Sequence, residues 1–249
     1  MVKMSLSLLT ALPVFNEVNM VNHVLDEVLQ HCDQVLVVDD GSTDGSSDLL
    51  AERKDIALIQ HPSNRGYGAA LVSAFNYAIE HQFDLLVTID CDGQHQPQRI
   101  QQFAETIIST GADIVSGSRY LANFENDTPP PLDRRSINEE VTRTLNQRLG
   151  FNLTDAFCGF KAYRVAALKQ IQIQESGYAM PLELWVQAAC AELAVVELPV
   201  PLIYLNLERS FGGALDQADI RLKYYYEVMN RAFAALPTDC ERYRGIRVG

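Results

Sequence analysis

Short, nearly continuous apolar runs, each followed by a stretch with helical spacing, recur through the first half of this 249-residue chain. LSLLTALPVF, QVLVVDD, IALIQH, DLLVTID and ADIVSGS read as strands. Val21, Val24, Leu25, Val28 and Leu29, then SSDLLAER, GAALVSAFNYAIEH and PQRIQQFAETIIST, read as the helices between them. Strands apolar on both faces and separated by helices require a mostly parallel central sheet with helices on both faces. The expectation is an α/β fold in a single domain. In such sheets ligands gather outside the carboxyl ends of the strands. The polar clusters fall there: Asn16 and Glu17, Asp39 and Asp40, Asn64 and Arg65, Asp90 and Asp92, Ser118 and Arg119 follow successive strands. Turn formation accounts for DGSTDG at 40–45, but not for charge at every strand end.

A hydrophobic share of 47% and a charged share of 21% suit a packed globular chain rather than a disordered one. The formal charge of −12 excludes nucleic-acid or anionic-membrane binding through bulk charge, since both need a basic surface. The five cysteines lack paired metal-ligand spacing and read as reduced thiols of a cytoplasmic protein. MVKMSLSLLTALPVFNE reads as a buried first strand rather than a signal peptide. No apolar run reaches the ~18 residues of a membrane span.

The segment TIDCDGQH (88–95) places two carboxylates, Asp90 and Asp92, one residue apart at a strand tip. Positions i and i+2 of a strand point to the same side, so both leave the tip toward a common point. They read as a site for Mg²⁺ or Mn²⁺, which take hard oxygens and share their shell with phosphates. A general acid/base pair or plain turn residues are the alternatives. Zinc is disfavoured, because no second His or Cys stands at useful spacing. RGYGAA (65–70) matches a dinucleotide fingerprint only in part and suits a helix N-terminus approaching the sheet or a phosphate. No Walker-type loop or serine nucleophile elbow is present.

ALPVFNE, VVDDGSTDGS, NRGYGAAL, TIDCDGQHQP and SGSRY, in that order, resemble the family 2 nucleotide-sugar glycosyltransferases of the GT-A fold. The polyprenyl-phosphate branch, typified by dolichyl-phosphate mannosyltransferase, is the most similar, from about Ser7 to about Tyr204. The resemblance implies that Pro13, Asn16, Glu17 and Asp40 hold the donor nucleotide, with Asp39 in the same turn and Asp90 beside the diphosphate. It implies Asp90, Asp92 and Gln94 as metal ligands. Arg119 is similar to an arginine placed on the acceptor phosphate, and Arg135, with Arg134, adds to that basic patch or is simply solvated. TDAFCGFKAYR (154–164) makes Asp155 a candidate for orienting the acceptor or acting as general base; a turn cap is the plain alternative. ERSFGGALDQ (208–217) keeps an arginine, Arg209, as an acceptor-phosphate candidate, but has Ala214 and Leu215 where that branch has Ser-Lys. This departure bears on donor and acceptor identity.

LANFENDTPPPLDRR (121–135) reads as a loop, followed by a helix from about Ser136 to Leu149 with Ser136 as a possible cap. MPLELWVQAACAEL reads as a helix, AVVELPVPLIYL as a strand, and LDQADIRLKYYYEVMNRAF as a last helix. That helix either packs on the sheet or lies on a membrane, with tyrosines at the interface and Arg221, Lys223 and Arg231 toward head groups. The expected organisation is residues 1–210 as the GT-A domain and 211–249 as its helical extension. The expected activity is inverting hexosyl transfer from a nucleotide-diphospho-sugar to a polyprenyl phosphate, with Mg²⁺ or Mn²⁺, at the cytosolic membrane face by peripheral contact or a membrane partner. The alternatives are transfer to a glycan hydroxyl in cell-envelope polysaccharide synthesis, a catalytically silent nucleotide-sugar binder, and a nucleotidyltransferase, which would carry a basic glycine-rich loop where this chain has PVFNE.

Overall fold

The computed structural model describes residues 6–125, 127–205 and 213–249. Strands β1 (Leu8–Val14), β2 (Val35–Asp39), β3 (Ala57–Gln60), β4 (Leu85–Thr88), β5 (Ile114–Ser118), β6 (Lys161–Arg164) and β7 (Val195–Pro199) form one sheet in the order β3-β2-β1-β4-β6-β5-β7. All pairings are parallel except those of β6, which runs antiparallel to both β4 and β5. The helices are α1 (Val21–Val28), α2 (Ser46–Glu52), α3 (Tyr67–Glu80), α4 (Ile100–Thr110), α5 (Leu132–Leu149), α6 (Val165–Leu168), α7 (Met180–Cys190) and α8 (Ala218–Ala235).

Period-2 alternation sorts the sheet's side chains between two cores. On β2, Leu36 and Val38 join α3, α5, α7 and α8 on one face, whereas Val35 and Val37 join α1 and α4 on the other. This is why the strands read as continuous apolar runs. Trp185 on α7 is fully buried, and its indole N–H donates to the Ala156 carbonyl at 2.9 Å, fixing the segment that carries Asp155.

Several expectations are corrected. The helix expected from Ser136 begins at Leu132, directly after Pro129–Pro131; proline is tolerated at a helix entry, where N–H groups lack intrahelical partners, and Asp133 suits the first turn. Ser136 is therefore inside α5, its hydroxyl donating to the Asp133 carbonyl, and caps nothing. The strand expected over 194–205 stops at Pro199, since Pro199 and Pro201 cannot donate to a ladder. Cys190 and Cys240, 50 residues apart, are paired as a disulfide, so only Cys32, Cys91 and Cys158 remain thiols, all buried.

The last helix packs on the sheet domain. Tyr225, Val228, Met229 and Phe233 are buried, and Tyr226 donates to Glu140 at 2.6 Å. Arg221 is buried, whereas Arg231 stays largely exposed and pairs with Glu175 at 2.9 Å. No helix among the described residues is long and apolar enough to cross a membrane.

Candidate active site

The carboxyl ends of β1, β2 and β4 open with β5, α5 and α8 into one cavity of about 900 Å³. Its walls differ in charge. Glu17, Asp40, Asp90 and Asp92 lie along the β1, β2 and β4 ends, whereas Arg119, Arg134 and Arg221 come from the β5 end, α5 and α8.

The acidic wall is built by turns that consume their own polar groups. Asn16 adopts φ +56, and its side-chain oxygen accepts from the Thr43 N–H at 2.8 Å while its own N–H donates to Ser42. The register of β1 on β2 pairs Val14 with Asp39, so these turns meet side by side. Asp40 accepts from the Arg65 and Gly66 N–H groups at 3.0 and 2.7 Å and lies 2.6 Å from His61 Nδ1, which ties the loop entering α3 to the β2 end. Gly66 must be glycine: its φ is +103, and a Cβ would fall 2.3 Å from the Ser176 carbonyl oxygen. Asp39 is buried and does not line the cavity. Burial raises its pKa, but hydrogen bonds from Ser42 and Ser47 outweigh that and hold it below the usual carboxylate range.

At the β4 end, Tyr67 donates to Asp90 Oδ1 at 3.0 Å, and His95 Nε2 lies 3.6 Å from Oδ2. Burial and the neighbouring Asp90 charge push the Tyr67 phenol well above its ordinary value, so it stays a donor. Asp92 accepts from the Gln94 N–H at 3.0 Å. Among the described residues no three His, Cys, Asp or Glu side chains are grouped to hold a metal. Two carboxylates and the Gln94 amide on one wall fit a hard divalent cation that completes its shell with water and phosphate oxygens, and not a fully protein-ligated ion. Space for the Asp90 carboxylate depends on Gly159, where a Cβ would fall 2.2 Å from Oδ2. Gly159→Ala is therefore expected to displace Asp90 and raise the Mn²⁺ concentration needed for half-maximal turnover about tenfold or more, read by metal titration of the rate; an unchanged titration would contradict this geometry.

The basic wall rests on a buried pair. Arg119 Nε and Nη2 fork onto Asp155 Oδ2 and Oδ1 at 2.7 and 2.9 Å, and Asn138 donates to Oδ1 at 2.8 Å. Burial works to raise the Asp155 pKa, but the Arg119 charge and these hydrogen bonds overcome it and hold the carboxyl well below its ordinary range. Asp155 is fully buried behind Arg119 and does not line the cavity. It is placed to hold the guanidinium, not to accept a proton from a bound substrate.

Of the residues singled out by sequence, Pro13, Asn16, Glu17, Asp40, Asp90, Asp92, Gln94 and Arg119 line the cavity. Asp39 and Asp155 support it from behind. Arg135 lies 3.6 Å over the Tyr120 ring and pairs with Glu139 at 2.6 Å, leaving its neighbour Arg134 to line the cavity. Arg209 lies outside the described residues. Sequence reasoning missed Tyr67, Asn138, Tyr178 and Arg221 as lining residues. A tyrosine opening a helix after Arg-Gly was the available signal for Tyr67. Arg221 is held by Asp133 at 2.6 Å across 88 residues, which spacing does not reveal.

A mostly parallel sheet with one antiparallel insertion, a carboxylate pair at a strand tip and a facing basic wall define a nucleotide-sugar transferase of the GT-A type. The glycosyl transferase family 2 profile matches residues 10–172, and the chain belongs to that family. It is 29% identical to the undecaprenyl-phosphate mannosyltransferase of Micrococcus luteus, over 86% of this chain and 91% of that one. It is 30% identical to the polyprenol monophosphomannose synthase of Mycolicibacterium smegmatis, over 77% of this chain and 76% of that one. Among solved structures, glucosyl-3-phosphoglycerate synthase of Mycobacterium tuberculosis, in complex with Mn²⁺, uridine diphosphate and glucosyl-3-phosphoglycerate, superposes with a TM-score of 0.71 at 18% identity, over 95% of this chain and 83% of that one. That likeness establishes the shared fold. The protein is a glycosyltransferase.

Proposed function

We propose that this enzyme transfers a hexose from a nucleotide-diphospho-sugar to the phosphate of a polyprenyl phosphate, with inversion at the anomeric carbon. The division of one cavity into an acidic and a basic wall carries the reading. Pro13, Asn16, Glu17 and Asp40 border the donor nucleotide, and Asp90, Asp92 and Gln94 hold Mg²⁺ or Mn²⁺. When bound, the cation neutralises charge on the departing diphosphate. Arg134, with Arg119 through the guanidinium edge that Asp155 leaves open, orients the acceptor phosphate opposite, since guanidinium N–H groups suit its oxygens. A phosphate acceptor is already ionised near neutral pH, so attack needs no protein base. The carboxylate behind the basic wall, Asp155, is committed to Arg119, which suits that acceptor better than a hydroxyl. The polyprenyl-phosphate relatives support the same acceptor class.

The test is transfer by purified protein with Mn²⁺, screening UDP-glucose, GDP-mannose and related donors with and without a short-chain polyprenyl phosphate. Metal-dependent product that requires the lipid phosphate is expected; transfer to glycan hydroxyls instead would overturn the acceptor assignment. Arg134→Gln should raise the acceptor KM about tenfold while leaving the donor KM within about twofold. Parallel titrations of the two ligands check this, and an equal effect on both would place Arg134 elsewhere.

A further inference from the structure

The first turn of α5 carries Arg134 to the cavity, yet little within the turn fixes its place. Pro131, which precedes it, offers no side-chain cap to the unpaired N–H groups of a helix start, and Leu132 is 87% exposed. The first buried side chain of the helix is Ile137. Contacts from other elements hold the turn instead. Arg135 lies 3.6 Å over the ring of Tyr120 after β5, and Asp133 accepts from Arg221 Nη2 on α8 at 2.6 Å. Arg221 is itself fixed: it is 2% exposed, and its Nη1 donates to the Leu215 and Asp216 carbonyls at 2.8 and 3.4 Å. Burial works to raise the Asp133 pKa, but the bond from Arg221, the Arg134 N–H and the charges of both arginines outweigh it and hold the carboxyl below its ordinary range. One carboxylate thus links Arg221 to the turn that bears Arg134.

We propose that Arg221 is a positioning residue for acceptor binding: through Asp133 it fixes the first turn of α5, and with it the Arg134 guanidinium that meets the acceptor phosphate. The inference rests on the polyprenyl-phosphate reading of the same cavity. Arg221 also lines the cavity, but its Nη1 and Nη2 are committed to two carbonyls and to Asp133, so it acts through Arg134 rather than on the phosphate itself. A guanidinium suits this bracing, because its fork reaches acceptors on two elements at once, which the single ammonium of a lysine holds less rigidly. Tyr225, four residues on, shares a helix face with Arg221, and its ring lies 4.9 Å from that of Phe157, two residues after Asp155. The same face of α8 therefore braces both arginines of the basic wall, Arg134 through Asp133 and Arg119 through the segment that carries Asp155. The last helix is then part of the acceptor site and not only a cover for the core.

Asp133→Asn keeps the size of the side chain and removes the charge that Arg221 grips. With the donor found active in the transfer screen, it should raise the KM for a short-chain polyprenyl phosphate about tenfold and leave the donor KM within about twofold. Arg221→Lys should do the same. A purely structural loss would lower the amount of active protein, and so the apparent kcat, without this split. In an Arg134→Gln background either substitution should add less than about twofold to the acceptor KM, because the residue through which it acts is gone. The full tenfold effect in that background overturns the inference, as does an equal rise of both KM values or an unchanged acceptor KM in Asp133→Asn. Hydrogen exchange reads the turn without any acceptor: the amides of 135–138 should exchange about tenfold faster in Asp133→Asn, while those from Val141 onward keep wild-type rates. Failure of the wild type to use polyprenyl phosphate would remove the acceptor reading, and unchanged exchange would still overturn the positioning of this turn by Arg221.

Discussion

Asp92→Ala is expected to lower turnover by roughly a thousandfold or more while leaving the protein folded. The Asp92 carboxylate lines the cavity and accepts from the Gln94 N–H at 3.0 Å, an interaction that tightens the turn after β4. Losing such a partly exposed hydrogen bond costs on the order of 1 kcal/mol, a small part of the stability of a domain this size. Under the proposed mechanism the catalytic cost is larger, because a diphosphate leaving group develops charge that the acidic wall would tolerate only with a divalent cation held against it. Asp90 is a poorer choice for this experiment. Its carboxylate also takes the Tyr67 hydroxyl at 3.0 Å against Gly159, so its removal disturbs packing as well as chemistry. Transfer rates across a Mn²⁺ titration, beside a thermal melt, check the prediction. An Asp92→Ala protein that keeps wild-type turnover in the presence of a chelator would remove the metal from the mechanism.

The strand ends that form the acidic wall could be read from sequence because their information is local. A four- to seven-residue apolar run followed by Asn, Asp or Gly specifies both a buried parallel strand and the place where it stops. β1, β2 and β4 follow that pattern. What could not be read is set by partners distant in the chain. β6 holds only KAYR, between a buried lysine and an arginine, and exists because it fits antiparallel between β4 and β5. Lys161 is buried beneath the site, and desolvation lowers its pKa. The Cys190–Cys240 pairing depends on the chain after α8 returning to the end of α7, which an odd count of cysteines does not suggest. The role of Asp155 shows the same limit more sharply. Its sequence neighbourhood marks it as a site residue, but only its pairing with Arg119, 36 residues away, shows that the carboxylate faces inward.

That pairing leads to the largest expected effect on stability. Asp155→Ala should destabilise the protein by about 3–5 kcal/mol, because it removes one partner of a buried ion pair and leaves the Arg119 guanidinium and the Asn138 amide without their acceptor. Adding Arg119→Met to that variant should recover part of the loss, since the uncompensated charge then disappears; a double-mutant cycle by urea unfolding reads the coupling. The pH dependence has a definite sign. The folded Asp155 carboxyl titrates well below its unfolded value of about 3.9. Its contribution is therefore fully present above that unfolded value and is lost as pH falls through the folded one. Near neutral pH the pair is intact, so the rate–pH profile of transfer should carry no acidic limb from Asp155. A general base in this position would behave differently: its removal would lower kcat with little change in the urea midpoint, and its titration would appear in the profile. Measuring unfolding and rate on the same Asp155→Ala protein separates the two roles, because a residue that acts by holding Arg119 must lose stability and acceptor binding together.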